Sequence, residues 1–192
     1  MNIEYEATFP NIDKDDMRSR LVAVDAVLVR PEYTQKRIPF YLPNKEDADN
    51  SWLRVRDEGD KVTLSLKKHD GKQIENQKEL CLGVNSFDDA VELLESIGCL
   101  RKSYQETRRE LWVLDGVEIT IDEWPFLDPF VEVEGSDENM VRIVSEKLGF
   151  DYSKALFCAV GELYVLKYGI HPDKINTLDV LIFDMPNPFL AT

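Results

Sequence analysis

The chain has 192 residues, 23 of them Lys or Arg and 37 Asp or Glu, for a formal net charge of −14. Hydrophobic residues at 43% are enough to fill a core, which excludes a disordered acidic tail, and the negative charge argues against binding of nucleic-acid backbones. No run of about 18 apolar residues marks a membrane span. The N-terminus lacks the apolar stretch of a secretory signal, and Cys81, Cys99 and Cys158 are scattered without a C-x-x-C pattern, as expected for reduced thiols in a cytoplasmic protein.

Asn2 to Phe9 alternates Ile3, Tyr5 and Ala7 with Glu4, Glu6 and Thr8, the period of a strand. Met17, Leu21, Val24 and Leu28 then recur at helical spacing, predicting a helix over 13–29 that Pro31 stops. Tyr33 to Leu42 reads as a strand and Pro43 to Asn50 as a polar turn. Trp52 to Arg56 and Val62 to Lys67 flank Asp57-Glu58-Gly59-Asp60-Lys61 as a hairpin. Ile74 to Leu82 is a further strand, and Ser86 caps a helix ending at Gly98. A second hairpin joins Lys102–Leu114 to Val117–Ile121 through Asp115-Gly116, followed by a strand from Phe130 to Glu134. Ser136 is expected to cap a helix reaching Leu148, Ser153 to Tyr168 reads as one more helix, and the tail beyond reads mostly as loop. These elements predict an α+β fold in a single domain over 1–192. About eight antiparallel strands can close into a barrel with a ligand-sized lumen, and a C-terminal helical segment covers 136–192.

Charges repeat at period two on several strands: Glu4 with Glu6, Arg54 with Arg56, Glu132 with Glu134. Any one pair is ordinary on a solvent-facing strand. Like charges on one face repel, however, so the set calls for counter-ions. Paired carboxylates suit Mg²⁺ or Mn²⁺, and paired guanidinium groups suit phosphate oxygens. Around one lumen they would make a site for a metal–polyphosphate complex.

With these motifs in order, the chain resembles the CYTH superfamily, the triphosphate tunnel metalloenzymes, which includes class IV adenylyl cyclases, thiamine triphosphatases and inorganic triphosphatases. The family's E-x-E-x-K is matched by Glu4-Tyr5-Glu6-Ala7-Thr8. Its R-x-R strand and hairpin lysine are matched by Arg54, Arg56 and Lys67, its later base by Arg109 with Trp112, and its terminal acids by Asp122 with Glu132-Val133-Glu134. The resemblance implies an eight-stranded tunnel with helices outside. It implies that Arg54, Arg56, Lys67 and Arg109, with Thr8, contact the substrate, and that Glu4, Glu6, Asp122, Glu132 and Glu134 hold Mg²⁺ or Mn²⁺. Glu4, Glu6, Arg54, Arg56 and Lys67 would form the catalytic set. The implied substrate is a triphosphate-containing small molecule (ATP, inorganic triphosphate or thiamine triphosphate), which is hydrolysed or, in a cyclase, cyclised. Relatives occur as monomers and homodimers. Thr8 replaces the family lysine, and Thr107 replaces a second base common in relatives. Both lack charge, which opens the alternative of a tunnel domain that binds polyphosphate or nucleotide without turnover.

Other residues have ordinary readings beside functional ones. Glu79 is a solvent-facing acid or another tunnel carboxylate. Lys167 is a solvated helix lysine or reaches the tunnel mouth. His69 and His171 lack partners at ligand spacing. Trp52, Trp112 and Trp124 are packing or rim residues, with Trp124 the best placed to cover a ligand. The three cysteines are expected as small buried side chains.

Overall fold

The computed structural model describes residues 1–43 and 50–190. Residues 44–49 of the turn expected over Pro43 to Asn50 therefore lie outside the described residues. The N-terminal stretch forms two short strands, β1 (Asn2–Ile3) and β2 (Tyr5–Phe9), followed by α1 (Lys14–Ala23) and the long β3 (Val27–Tyr41). The first hairpin is β4 (Ser51–Asp57) with β5 (Val62–His69), then β6 (Gln77–Val84), α2 (Phe87–Ser96) and the short β7 (Leu100–Arg101). The second hairpin is β8 (Tyr104–Leu114) with β9 (Val117–Glu123). It is followed by β10 (Phe130–Gly135), α3 (Glu138–Lys147), α4 (Gly161–Tyr168) and β11 (Val180–Leu181).

The sheet runs β1-β6-β5-β4-β3-β8-β9-β10-β2. Because β1 and β2 are one stretch of chain broken only at Glu4, that stretch bonds to β6 on one side and β10 on the other and closes the ring. Counted as a single strand, it gives eight strands around a tunnel. All these pairings are antiparallel, while β11 adds to β8 in parallel. This is the expected α+β tunnel with helices outside.

The pleat sorts side chains to two faces. Ala7, Ile119, Ile121, Val131 and Val133 face outward into a core under α1 and α3. Ile38, Phe40 and Val55 face a second core under α2. The alternate positions on the same strands carry the charged residues and face the lumen. A third cluster, Trp124, Phe130, Leu163, Tyr164 and Ile175, packs α4 and the C-terminal turns against the sheet. Since the core under α1 and α3 lies outside the ring, truncating Val133, which is fully buried, to Ala is expected to cost about 2–4 kcal/mol. Denaturant unfolding would read that loss directly.

Local expectations needed correction at several points. The helix over 13–29 ends at Ala23, capped at its start by the Asp13 side chain. Val27 and Leu28 pair with β8 instead, and Val29 falls at a register shift in the same strand. Pro31 therefore ends no helix. It sits inside β3 within the register shift between Arg30 and Tyr33, where a missing N–H is tolerated. Ile74–Asn76 is a 3₁₀ turn before β6. The cap of α3 is Asp137, not Ser136, its carboxylate accepting from Met140 N. The helix expected over Ser153–Tyr168 is a 3₁₀ turn at Tyr152–Lys154 followed, after an interval, by α4. The tail contributes a further 3₁₀ turn at Pro172–Thr177 and a strand, so 136–192 is not purely helical. Among the described residues no helix is long and apolar enough to cross a membrane.

Candidate functional site

The lumen is a cavity of about 390 Å³. Of the ten expected site residues, Glu4, Glu6, Arg54, Arg56, Lys67, Arg109, Glu132 and Glu134 line it. Strand register places them. Arg54 and Arg56 alternate inward on β4, with Trp52 opposite Lys67 on β5. Lys67 stands opposite Glu79 on β6. Glu6 stands directly opposite Glu134, and Thr8 opposite Glu132. Arg109 stands opposite Asp122.

The result is a tunnel with two walls. The N-terminal stretch and β10 form an acidic wall of Glu4, Glu6, Glu132 and Glu134, and the strands across from it carry arginines. Each wall repels itself. Burial pushes the Glu6 carboxyl up to about 7 from its usual 4.5 against the pull of Lys67, with the nearby Glu4 and Glu134 carboxylates adding to the rise. Glu132 is also driven well up, by burial and by Glu6 and Asp122. Burial raises Glu4 to about 7 despite Lys67, while Glu79, drawn down by Lys67 after burial is overcome, lies near 2 and accepts a hydrogen bond from Glu4. Glu134 is exposed at the rim.

Ion pairs tie the charged groups together, with Lys67–Glu4 and Arg109–Glu132 crossing between the walls. Lys67 Nζ is 2.9 Å from Glu4 Oε2, Arg54 Nη2 is 3.1 Å from Glu79 Oε1, and Arg56 Nη2 is 2.7 Å from Glu58 Oε1. Arg109 donates from Nε and Nη2 to the two Asp122 oxygens, both at 2.8 Å, and from Nη2 to Glu132 Oε2 at 2.7 Å. Glu79 is thus a tunnel carboxylate and not a solvated acid.

Two expected site residues are placed differently. Asp122 is fully buried behind Arg109 and does not line the cavity. Its oxygens accept from Arg109 and from Thr120 Oγ1 at 2.7 Å, so in this structure it anchors Arg109. Thr8, expected at the substrate, is 3% exposed and also absent from the lining. Its backbone is bridged to Leu156.

Trp124 lines the tunnel, as do Trp52 and His69, whose Nε2 lies 3.0 Å from the Phe157 carbonyl oxygen. Trp112 is in the outer core. Lys167 is turned away from the lumen, pairing with Asp128 at 2.8 Å in a separate small cleft. His171 pairs with Asp173. Cys99 is buried, but Cys81 is exposed, against expectation; it lies on the Glu79 face of β6, opposite Ser65. Cys158 lines the tunnel, and burial pushes its thiol up to about 12.

Arg37 on β3 was not anticipated. It lines the tunnel in the row of Gln35 and Pro39, and extending the period-two reading from β4 to β3 would have exposed it. Among the described residues no group of three or more carboxylate, histidine or cysteine side chains is arranged to hold a metal ion unaided.

The raised carboxyls make a prediction for protein held in a chelator. Between about pH 4.5 and 7 the unfolded chain has released protons that folded Glu4 and Glu6 still bind. The stability each adds below that window is therefore lost as pH rises through it, by at most about 3 kcal/mol per carboxyl. Thermal melts from about pH 5 to 8 are expected to show a falling midpoint. A flat or rising midpoint would contradict it.

The CYTH domain family model matches residues 2–158. Comparison with the curated proteins finds no match. Among solved structures, a conserved hypothetical protein from Pyrococcus furiosus is 23% identical, with TM-score 0.69 over 83% of this chain and 99% of that one. A putative adenylate cyclase from Vibrio parahaemolyticus is 11% identical, with TM-score 0.73 over 84% and 97%. A Hippeastrum protein with a dominant triphosphatase activity is 14% identical, with TM-score 0.59 over 89% and 99%.

Proposed function

The chain belongs to the CYTH domain family, and from that membership we propose that it is a metal-dependent enzyme acting on a triphosphate-containing small molecule bound in the tunnel. The carrying observation is the division of the lumen into an acidic and a basic wall. A phosphate chain alone satisfies the second wall and adds repulsion to the first, and a cation alone does the reverse. A metal–triphosphate complex answers both.

Arg54, Arg56, Lys67 and Arg109 bind and orient the phosphate oxygens through charge-assisted hydrogen bonds. To do so, Lys67, Arg54 and Arg56 exchange their present carboxylate partners for phosphate. Asp122 holds the Arg109 guanidinium in plane, a positioning role. Glu4, Glu6, Glu132 and Glu134 are hard oxygen donors suited to Mg²⁺ or Mn²⁺. That no three of them are arranged to hold an ion unaided fits a cation that keeps waters and takes phosphate oxygens as its remaining ligands. When bound, such an ion neutralises charge on the phosphates and lowers the pKa of the attacking hydroxyl or water. The raised carboxyls would release their protons as it binds.

The test is a product assay with ATP, inorganic triphosphate and thiamine triphosphate, each with Mg²⁺ and with Mn²⁺. Orthophosphate establishes a triphosphatase, and pyrophosphate with cyclic AMP a cyclase. Binding without any product would overturn the enzymatic reading in favour of a polyphosphate-binding domain, the reading that uncharged Thr8 and Thr107 favour.

A further inference from the structure

Among the described residues, Lys67, Arg54, Arg56 and Arg109 each have a carboxylate partner in the tunnel, and Arg37 has none. Lys67 has Glu4, Arg54 has Glu79, Arg56 has Glu58, and Arg109 has Asp122 and Glu132. Arg37 is 5% exposed, and among the described residues no carboxylate lies within ion-pair distance of it. Its Nη2 donates only to neutral oxygens, Gln35 Oε1 at 2.6 Å and Thr107 Oγ1 at 2.7 Å. Its Cζ lies 4.7 Å from the centre of the Trp124 ring.

Strand register sharpens the imbalance. Arg37 stands directly opposite Arg56, and Pro39 two residues on stands opposite Arg54, so guanidinium groups crowd one patch of wall where like charges repel. The Nε–H groups of Arg37, Arg54 and Arg56 are all buried without a hydrogen-bond partner, and all three residues line the same cavity. A buried charged donor left unpaired is destabilising, and a buried charge without a counter-charge more so. The missing partner must therefore be anionic, rich in acceptor oxygens and small enough to enter the lumen. Phosphate oxygens meet all three requirements.

We propose that Arg37 is a substrate-binding residue that takes phosphate oxygens of the triphosphate together with Arg54 and Arg56. Gln35, Thr107 and Trp124 hold its guanidinium in place. Thr107 is thus a positioning residue: in place of a base of its own it steers one from the neighbouring strand. The inference rests on the triphosphate reading of the tunnel.

The test measures calorimetric binding of inorganic triphosphate with Mg²⁺ for the wild type and Arg37→Met, Thr107→Val and Arg108→Gln. The Arg108 side chain is on the outer face of β8, over Phe183, so Arg108→Gln is the control. Arg37→Met is expected to weaken binding by at least about tenfold. In the ligand-free protein it should raise the melting temperature by about 2–4 °C, since an unpaired buried charge is gone and Gln35 and Thr107 still bond each other at 3.1 Å. Thr107→Val should weaken binding less and leave Arg108→Gln as the only variant with wild-type affinity. Unchanged affinity in Arg37→Met would overturn the proposal. So would lost affinity accompanied by a lower ligand-free melting temperature, which would make Arg37 part of the frame. Absence of binding by the wild type would instead strike down the triphosphate reading itself.

Discussion

Replacing Arg109 with Met is expected to destabilise the protein by about 3–5 kcal/mol, a fall in melting temperature on the order of 10 °C, and to abolish triphosphate binding. Arg109 is the only partner within ion-pair distance of both Asp122, fully buried, and Glu132, among the described residues. Removing it leaves two carboxylates in the wall, and Glu132 is already pushed up by Glu6 and by Asp122. The cost comes from the stranded acids and not from the lost contact, so a second change should recover much of it. Arg109→Met with Asp122→Asn is expected to melt well above Arg109→Met alone, because the amide keeps an acceptor for Thr120 Oγ1 without the charge. Denaturant unfolding of the two singles and the double forms the cycle. If the double is no more stable than Arg109→Met, then Asp122 is not what Arg109 neutralises.

The Arg109–Asp122 pair also shows where sequence reading reaches its limit. Period-two alternation sends both residues inward, and the hairpin at Asp115-Gly116 sets them opposite each other. Asp115 and Gly116 both have positive φ, the backbone of a tight turn that this dipeptide favours. That both point to the inner side of the sheet was therefore legible, as it was for Glu4, Glu6, Arg54, Arg56, Lys67, Glu132 and Glu134. Which carboxylate reaches the cavity and which is spent holding an arginine depends on depth along the barrel, and spacing carries no record of that.

Arg37 failed to stand out for a related reason. In Gln35-Lys36-Arg37 two cations are adjacent, and the pleat sends one each way. Lys36 goes outside to Asp57 at 3.3 Å and Arg37 inside. Without the register of β3 against β4, the pair reads as surface charge. The end of α1 was hidden for an energetic reason. Val24 and Leu28 continue the helical spacing, but pairing of Val27 and Leu28 with β8 outweighs that local preference. Leu28 is left 43% exposed, so the apolar stripe was never a buried helix face there.

The double replacement Glu6→Gln with Glu132→Gln is expected to cut metal-dependent turnover by about 10²–10³-fold or more while raising the ligand-free melting temperature. The two effects share one cause. Glu6 and Glu132 repel each other across the junction of β2 and β10, and burial adds to the cost of charging either. A fold that needed them only as structure would not retain two acids whose ionised forms oppose it. Their amides keep the shape and the acceptor oxygens, and they remove the charge that a cation would neutralise. Loss of stability with loss of turnover would mean that the acids serve the frame, and turnover preserved at a raised melting temperature would remove them from the chemistry. The expected outcome, a more stable and inactive protein, carries a further sign. Mg²⁺ or Mn²⁺ supplied with triphosphate should raise the melting temperature of the wild type and do so much less for the double variant, since only the wild type gains by exchanging repulsion for coordination.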